Sequence, residues 1–527
     1  MQEGSLQILI AMVCYMAVVI GIGIYFAKRS NQSSEDYFLG GRSLGPWVTA
    51  MSAEASDMSG WLLMGLPGVA YWCGLSDAAW TSIGLALGTY INWLLVAKRL
   101  RRYSAVAGDA ITLPDFFSNR FHEKKKVIMT LSALFILIFF TVYASSCFVT
   151  CGKLFSTLFG ASYQSMMIAG ALFVVIYTFL GGFLAESASD FMQAVVMIFA
   201  LTVILITGTL AAGGLQAVVD NAKNIPGFFT FFGIASPSVD ASGIQQVANG
   251  APVFGEAGSY GFLTIISTLS WGLGYFGMPH ILLRFMAIRE EKELNQSRRI
   301  ATIWVVISMF IAVCIGIIGN SVSAAGKVPF LATSAESETI IIKLADLMSQ
   351  HGVLLAVMAG IILSGILAAT MSTADSQLLA AASSVSQDLM QHSFGMKMNQ
   401  RTTMLAARAT VIGIAIIGMV LAWDPNSSVF RVVSFAWAGF GAAFGPVMLF
   451  SLFWKRANKQ GALAGMITGG AVVFIWKYLI APMGGAWAIY ELLPAFLAAC
   501  IAIVIVSLAT PAPEKAVTDT FDEICGK

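Results

Sequence analysis

Long apolar segments recur along the whole chain, and short polar stretches separate them. About thirteen of these segments approach the roughly 20 residues that a helix needs to cross a hydrocarbon core. In lipid every backbone polar group must be satisfied within the segment, so each is predicted to be a helix. Numbered in chain order as spans 1 to 13, they centre near Val18, Leu62, Leu85, Leu137, Val174, Ile198, Leu269, Met309, Ile361, Ala415, Gly441, Val472 and Ala502. The pattern predicts an all-α, polytopic membrane protein.

Composition supports the same class. Of 527 residues, 57% are hydrophobic and 11% are charged, whereas soluble domains carry roughly 25% charged residues. The net charge of +2 gives no indication of a nucleic-acid partner. The first apolar run, 6–27, follows Glu3 and no basic residue, so it is predicted to be a retained span and not a cleaved signal peptide. The lipid bilayer is therefore the expected surrounding.

Basic residues concentrate in alternate loops, which orients the bundle. Few lie in the opposite loops: Lys153, Lys223, Lys327, Lys343, Arg431 and Lys477. The positive-inside rule assigns the richer set to the cytoplasm. That set is Lys28, Arg29, Arg42, Lys98, Arg99, Arg101, Arg102, Arg120, Lys124, Lys125, Lys126, Arg284, Arg289, Lys292, Arg298, Arg299, Lys397, Arg401, Arg408, Lys455, Arg456 and Lys459. With an odd number of spans, the N-terminus is predicted outside and the C-terminus in the cytoplasm.

Span 2 carries polar residues where an apolar centre is expected. Glu54 and Asp57 lie there, and a carboxylate at mid-bilayer costs at least about 2.5 kcal/mol on insertion scales. Tight helix packing explains the small residues Ser59 and Gly60. It does not explain the two carboxylates, so this segment is predicted to line a functional cavity.

Span 7 contains three glycines and a proline within eight residues: Gly272, Gly274, Gly277 and Pro279. A simple proline kink is one interpretation. However, spans 2 and 7 lie five spans apart, and interrupted helices at matching positions indicate a mid-membrane site in inverted-repeat transporters. We therefore interpret spans 2–6 and 7–11 as two repeats.

These repeats define the predicted domain organisation. The transmembrane transporter domain covers 1–511, and a cytoplasmic tail covers 512–527. Repeat one is placed at about 45–213 and repeat two at about 260–453, with additional helices at both ends. The longest stretch between spans, about 214–259, is predicted to be a partly ordered external loop.

Span 9 presents a polar stripe. Ser372, Asp375 and Ser376 are spaced i, i+3 and i+4, so they share one helix face. Oxygen ligands of this kind suit a hard cation. Serine hydroxyls also commonly bond to their own helix, but the added carboxylate of Asp375 favours a cation site.

Five motifs resemble the sodium/solute symporter family, and within it the sodium/proline branch. The resemblance extends from about Tyr15 to Leu508 and implies a LeuT-type inverted-repeat fold with thirteen spans. The motifs cover 40–46 (GGRSLGP), 55–61 (ASDMSGW), 271–277 (WGLGYFG), 371–373 (MST) and 436–446 (AWAGFGAAFGP).

The resemblance also implies roles for individual residues. For the main sodium site it implies the carbonyls of Ala55, Met58 and Ala369 and the hydroxyls of Ser372 and Thr373. A second cation position would use Asp190, Asp375 and Ser376, with Glu54 added as an extra acidic group. The implied solute-binding residues are Asp57, Ser59, Gly60, Tyr143, Trp271, Tyr275, Met278 and Pro279.

Three positions depart from the proline branch. Glu54 stands where a glycine is usual, Met278 where the branch has glutamine, and Asp375 where it has a small hydroxyl residue. Two neighbouring carboxylates in a low dielectric cannot both stay ionised without a cation. We therefore hypothesise that Glu54 and Asp375 approach each other and share a cation or a proton.

The function expected from the sequence is sodium-coupled symport of L-proline into the cell by alternating access, with Na⁺ as coupling ion and no organic cofactor. Sodium- or proton-coupled symport of another amino acid or a monocarboxylate is the alternative. A channel would require a continuous pore. An enzyme is disfavoured, because His122, His280, His351 and His392 are scattered without metal-ligand spacing and there is no nucleophile elbow.

Overall fold

The computed structural model describes residues 4–30, 38–180, 183–248 and 250–525. Within this part of the chain, ten helices are long and apolar enough to cross a membrane. The shorter apolar helices Tyr163–Phe179 and Phe262–Gly277 correspond to spans 5 and 7. An interrupted segment, 46–73, corresponds to span 2. Each of the predicted spans therefore coincides with a helix, and the all-α polytopic prediction is confirmed.

The helix bounds of the first six spans are Ser5–Ser30 for span 1; Pro46–Gly60, Trp61–Gly65 and Leu66–Cys73 for span 2; Leu75–Ile91, Asn92–Val96 and Ala97–Val106 for span 3; Val127–Phe159 for span 4; Tyr163–Leu180 for span 5; and Phe183–Ala211 for span 6. The remaining bounds are Phe262–Leu269, Ser270–Gly277 and Pro279–Ala287 for span 7; Leu294–Ala324 for span 8; Val353–Ser383 and Ser384–Ser393 for span 9; Gln400–Leu421 for span 10; Val429–Phe453 for span 11; Lys459–Ile475 and Trp476–Ile480 for span 12; and Leu492–Ala509 for span 13.

Short elements connect the spans. Two antiparallel strand pairs lie in the long external loop: Gly233–Ile234 with Gly258–Ser259, and Val247–Ala248 with Ala251–Pro252. The short connecting helices are Gly40–Arg42, Leu113–Arg120, Leu215–Asn224, Glu291–Glu293, Ser334–Ser337, Ile340–Ser349, Ala481–Met483 and Gly485–Trp487.

The C-terminal tail forms one further helix, Lys515–Cys525. It is amphipathic and buries Val517, Phe521 and Ile524. An ion pair between Lys455 and Asp522 also ties the helix to the loop between spans 11 and 12. The tail is therefore packed on the bundle.

Span 2 is broken at Ser59, which has φ 48° and ψ −170°. This left-handed backbone conformation is uncommon for a residue other than glycine, and such strain concentrates at functional sites. Next to it, Gly60 packs so closely on Thr150 of span 4 that a Cβ atom would overlap the threonine side chain. The predicted interruption of span 2 is confirmed.

Span 7 changes direction before Pro279. Ser270–Gly277 forms tight 3₁₀ turns, and Met278 is extended with φ −77° and ψ 109°. Pro279 then begins the inner helix, because a proline disfavours helical backbone at the residue before it and fits the first helical turn. Gly277 lies against the Phe440 carbonyl of span 11, where there is no room for a side chain. The predicted interruption of span 7 is also confirmed.

Burial separates a central group of spans from a peripheral one. The apolar window of span 11 is 89% buried and that of span 9 is 67% buried. The windows of spans 1, 10 and 12 are only 22–28% buried, so these helices face the lipid. Spans 9 and 11 thus form an inner wall around the two broken helices.

Candidate sodium and solute sites

Asp57 lies on the last turn before the break in span 2. Its Oδ2 accepts a hydrogen bond of 2.6 Å from the Tyr275 hydroxyl in span 7. Its backbone carbonyl accepts a hydrogen bond of 3.0 Å from the Tyr143 hydroxyl in span 4. The remaining oxygen, Oδ1, is buried and has no hydrogen-bond partner among the described residues. Spans 4 and 7 thus hold a carboxylate that has one free acceptor at the break.

A small cavity adjoins this carboxylate. Its volume is about 10 Å³, enough for roughly one water molecule. Of the solute residues implied by the sequence, Asp57, Tyr143 and Trp271 line it together. Tyr275 reaches it through its hydrogen bond to Asp57. The full lining is Asp57, Met58, Trp61, Leu85, Tyr143, Trp271, Val433 and Trp437.

The other implied solute residues do not line the cavity. Ser59 Oγ accepts a 3.0 Å hydrogen bond from the Trp61 amide, so it caps the helix after the break. Met278 is fully buried at the turn of span 7, and Pro279 begins the helix beyond it. Gly60 packs on span 4. These four residues shape the two breaks.

Aromatic rings cover the cavity on one side. The ring centroids of Trp61 and Trp271 lie 5.5 Å apart, and Trp271 also stacks on Tyr490 at 5.1 Å. Phe430 at the start of span 11 lies 5.7 Å from Trp61. The indole of Trp437 donates a 2.8 Å hydrogen bond to the Trp271 carbonyl. The rings separate Asp57 from the end of the bundle where spans 2 and 7 meet the long loop.

Spans 2 and 9 meet at Ser372. Its hydroxyl lies 2.8 Å from the Ala55 carbonyl and 3.2 Å from the Ala369 carbonyl. The neighbouring Thr373 hydroxyl is fully buried and has no hydrogen-bond partner within the described ranges. The carbonyl of Met58 accepts the Trp61 amide across the break. The structure thus brings together Ala55, Ala369 and Ser372, with Thr373 beside them.

These groups fit a sodium ion. Carbonyl and hydroxyl oxygens form an all-oxygen donor set, which hard cations prefer. A buried hydroxyl without a partner costs roughly 1–3 kcal/mol, and Thr373 Oγ1 is such a group. A cation held at this junction would satisfy the hydroxyl and join span 2 to span 9.

The implied second cation position contains an arginine. Arg284 in span 7 contacts Glu186, Asp190 and Ser376 through Nη2. The basic residues assigned to cytoplasmic loops included Arg284, but it is 1% exposed inside the bundle. That assignment was wrong for this residue. Loop charge counting does not distinguish a loop cation from one that is buried against carboxylates distant in the sequence.

Glu54 and Asp375 have different surroundings. Glu54 Oε1 accepts hydrogen bonds of 3.2 Å from Thr89 and from the Trp93 indole, both in span 3. Asp375 lies within hydrogen-bonding range of Thr178 in span 5 and near Arg284. The structure therefore does not bring Glu54 and Asp375 together as hypothesised, because Glu54 faces span 3 whereas Asp375 faces spans 5 and 6. Within the described residues, no group of His, Cys, Asp and Glu forms a metal-binding cluster.

Sequence reasoning missed four residues that line the cavity: Trp61 in span 2, Leu85 in span 3, and Val433 and Trp437 in span 11. Trp61 belongs to the motif at 55–61 and Trp437 to the motif at 436–446, so these motifs could have indicated both residues. Leu85 and Val433 are ordinary apolar residues within apolar helices. Only the packing of spans 3 and 11 against the breaks distinguishes them.

Comparison with known proteins identifies the family. The model of the "Sodium:solute symporter family" matches residues 37–469. The chain belongs to this family. The family consists of transporters, so a membrane enzyme is no longer a competing interpretation, and by its description its members couple solute movement to sodium.

Several relatives resemble the symporter over nearly its whole length. "Sodium/proline symporter" of Salmonella typhimurium is 41% identical, with 98% of this chain and 96% of the relative covered. "High-affinity proline transporter PutP" of Bacillus subtilis is 42% identical, with 95% and 98% covered. "Sodium/proline symporter 2" of Staphylococcus saprophyticus is 40% identical, with 99% and 96% covered.

Solved structures support the fold. A substrate-bound, outward-open Na⁺-coupled sialic acid symporter matches with a TM-score of 0.75 at 17% identity, covering 97% of this chain and 99% of its own. MhsT in complex with L-phenylalanine matches with a TM-score of 0.52 at 16% identity, covering 88% and 98%. The symporter therefore has the LeuT-type fold that the resemblance implied.

Proposed function

We propose that this symporter carries L-proline into the cell together with sodium by alternating access. The observation that carries the proposal is the contact of the Ser372 hydroxyl with the Ala55 carbonyl. Ala55 lies one helical turn before the break at Ser59, and Asp57 lies between them. Three relatives that are 40–42% identical over at least 95% of the chain are named as proline transporters. The sodium and solute positions would share span 2, so binding at one would order the other.

Sodium would be held by the carbonyls of Ala55, Met58 and Ala369 and by the hydroxyls of Ser372 and Thr373. The ion would join spans 2 and 9 and so favour the arrangement that binds the solute. A ligand shifts a conformational equilibrium only by its differential affinity for the two states. The same differential affinity would make solute and sodium each strengthen the binding of the other.

The solute would bind between the two breaks. Asp57 Oδ1, which lacks a partner among the described residues, suits the ammonium group of an imino acid. Backbone amides freed at the breaks suit its carboxylate, because helix N-termini carry partial positive charge. The rings of Trp271 and Trp437 would pack on the apolar part of the solute. The cavity would have to widen for the solute to bind, and separation of the aromatic rings would provide the space.

The distribution of basic residues supports the orientation. Arg42, Arg101, Arg102 and Arg289 lie together near the ends of spans 3 and 7. By the positive-inside rule this end faces the cytoplasm, so the N-terminus lies outside and the C-terminal helix inside. The side chains of Lys28 and Arg29 lie outside the described part of the structure. In this orientation the aromatic rings over Asp57 close the outer side.

The membrane potential would add to the driving force. Each unit charge that moves inward gains about 2.3 kcal/mol per 100 mV. A sodium ion carried with a zwitterionic solute moves one net positive charge. Transport would therefore be electrogenic and would concentrate the solute inside.

Uptake into liposomes tests the proposal. Purified protein is reconstituted into potassium-loaded vesicles, and labelled L-proline is added with external sodium, potassium or choline. Saturable accumulation that requires sodium and is lost when an ionophore collapses the gradient is the expected result. Sodium-dependent uptake of a labelled monocarboxylate or another labelled amino acid, without proline uptake, would replace the solute in the proposal. Flux that does not saturate would indicate a channel.

A further inference from the structure

Two arginines of repeat one bind the inner end of span 11. Arg99, in the last part of span 3, donates from Nη1 to the Leu452 carbonyl at 2.8 Å. Arg120 ends the connecting helix Leu113–Arg120, and its Nε donates to the Ser451 carbonyl at 2.8 Å. The last four carbonyls of a helix have no partner within that helix, and cations are favourable at this end. These contacts join repeat one to repeat two at the proposed cytoplasmic side.

The C-terminal helix covers one of the two arginines. Arg120 is 1% exposed, and its guanidinium carbon lies 5.2 Å from the ring centroid of Phe521 in the helix Lys515–Cys525. The same carbon lies 5.3 Å from the Tyr103 ring of span 3 and 5.0 Å from the Phe121 ring. A desolvated guanidinium over aromatic faces gains from cation–π attraction. The tail therefore contributes one wall to the surroundings of Arg120.

Further contacts fix the tail between segments of both repeats. Asp522 pairs with Lys455, which follows span 11. Glu523 lines a cavity of about 710 Å³ together with the segment that follows span 3. The stretch before the helix is fixed as well, because the Asn458 amide donates to the Pro511 carbonyl at 2.9 Å. The tail helix thus touches the inner ends of the same two spans that the arginines join.

Spans 3 and 11 also form part of the wall of the proposed solute cavity. Leu85 of span 3 and Val433 and Trp437 of span 11 line this cavity beside Asp57. In inverted-repeat transporters, one repeat or bundle rocks against the other around the site. Separation of the inner ends of spans 3 and 11 would open a route from the cavity to the cytoplasm. The two arginine contacts oppose that separation.

We propose that the helix Lys515–Cys525 is an autoinhibitory latch, which stabilises the inward-closed state by holding Arg120 against span 11. This inference rests on the proposed function, because the latch acts on the alternating-access cycle proposed above. Arg120 and Phe521 are positioning residues, since neither touches the cavity. The latch favours the closed state only by its differential affinity for the two states. Detachment of the tail would therefore increase the inward-open population.

The distance between the inner ends is the first measurement. Spin labels are attached at Leu95→Cys in span 3 and at Lys459→Cys at the start of span 12, two exposed positions. The protein is full-length, and its native cysteines are replaced by serine. Electron–electron double resonance then reports the distribution of distances. We expect one dominant short distance with the native tail, and a longer population that grows at least about threefold in Phe521→Ala.

Two further variants separate the latch from general stabilisation. Phe521→Tyr keeps an aromatic ring over Arg120, and Asp519→Asn changes an exposed residue of the same helix. Both should keep the longer population within about twofold of its native value. A tail with a purely structural role would lower the melting temperature of Phe521→Ala without changing the distances. That result would overturn the latch assignment.

A second way to loosen the tail applies if Phe521→Ala does not fold. Lys455→Glu replaces the ion pair with Asp522 by a repulsion and leaves the buried face of the helix unchanged. The longer population should grow in this variant too, and an unchanged distribution would overturn the assignment. Absence of sodium-dependent proline uptake by the native protein would instead contradict the proposed function. The distances between the inner ends would still decide whether the tail is a latch.

Discussion

The hydroxyl of Ser372 in span 9 lies 2.8 Å from the carbonyl oxygen of Ala55 in span 2. This contact joins two helices that are more than 300 residues apart in the sequence. It lies beside the only point at which span 2 departs from helical backbone among its described residues, Ser59. An ion bound at this contact would control the geometry of the break, which gives a physical basis for coupling.

Removing one hydroxyl at this junction should weaken sodium binding. Hydrogen bonds and similar contacts to charged groups are worth roughly 1.5–3 kcal/mol, so Ser372→Ala is expected to raise the sodium concentration for half-maximal uptake at least about tenfold. Sodium titrations of proline uptake measure the effect. Thr373→Val should behave in the same way, because its hydroxyl is buried without a partner in the described structure.

Ser383→Ala is the matched control for these two variants. Ser383 is also buried in span 9, but among the described residues its hydroxyl bonds only to the Ala380 carbonyl of its own helix, at 2.8 Å. Its sodium dependence should stay within about twofold of that of the native protein. An equal loss in all three variants would indicate general damage to span 9 and contradict the assigned sodium ligands.

The Tyr275 hydroxyl should contribute to solute binding by orienting Asp57. Tyr275→Phe removes the 2.6 Å hydrogen bond to Asp57 Oδ2 and leaves the ring in place. We expect about a tenfold rise in the proline concentration for half-maximal uptake, since a charge-assisted hydrogen bond of roughly 1.5 kcal/mol or more is lost. Asp57→Asn, which removes the charge, should abolish measurable uptake.

Tyr163→Phe provides the comparison for Tyr275→Phe. The Tyr163 hydroxyl, at the start of span 5, donates to the carbonyl of Ala422, just after the end of span 10, at 2.8 Å. Uptake kinetics should be unchanged in this variant. Normal proline affinity in Tyr275→Phe would contradict the assignment of Asp57 to the proposed solute site.

The sequence predicted the parts of the site that depend on local chemistry. Glycines and Pro279 in span 7 indicated an interrupted helix, because their backbone restrictions act within a few residues. Polar residues such as Asp57, Ser372 and Thr373 are costly in lipid, so their burial was predictable as well. Side-chain pairing across the bundle was not predictable from the sequence. Arg284 meets Glu186 across 98 residues, and no local pattern indicates that pairing.

The position of Glu54 illustrates the same limit. Its location in span 2 was evident, and so was the cost of burying its carboxyl group. Which neighbour it faces depends on how span 2 is rotated against spans 3 and 9. The rotation directs Glu54 to Thr89 and Trp93. The Ala55 carbonyl, on the adjacent residue, meets Ser372.

The buried ion pair between Lys153 and Glu338 should stabilise the outer end of the bundle. The atoms Nζ and Oε2 lie 2.6 Å apart, and the two side chains are 6% and 2% exposed. Glu338 also accepts the amides of Val429 and Phe430 at the start of span 11. Removal of one partner from a buried pair costs roughly 3–5 kcal/mol, so Lys153→Met should lower the melting temperature in detergent by several degrees.

An exposed pair serves as the control for Lys153→Met. Lys292 and Glu290 lie 2.7 Å apart but are 83% and 51% exposed. Exposed pairs contribute little to stability because water and salt screen them, so Lys292→Met should leave the melting temperature nearly unchanged. Similar shifts in both variants would mean that Lys153 and Glu338 do not stabilise the outer end through their pairing.

The absence of a side chain at Gly60 should be required for span 2 to break where it packs against Thr150. An added Cβ at Gly60 would overlap the threonine Oγ1 and Cγ2 atoms, so Gly60→Ala should push span 2 away from span 4. We expect proline uptake to fall at least about tenfold, which is equivalent to roughly 1.4 kcal/mol. Combination with Thr150→Ala removes both overlapping atoms and should restore part of the activity. Gly413→Ala in span 10, where nothing lies within 4 Å, should have no effect. If the double variant is no more active than Gly60→Ala alone, steric overlap with span 4 is not what makes glycine necessary at this position.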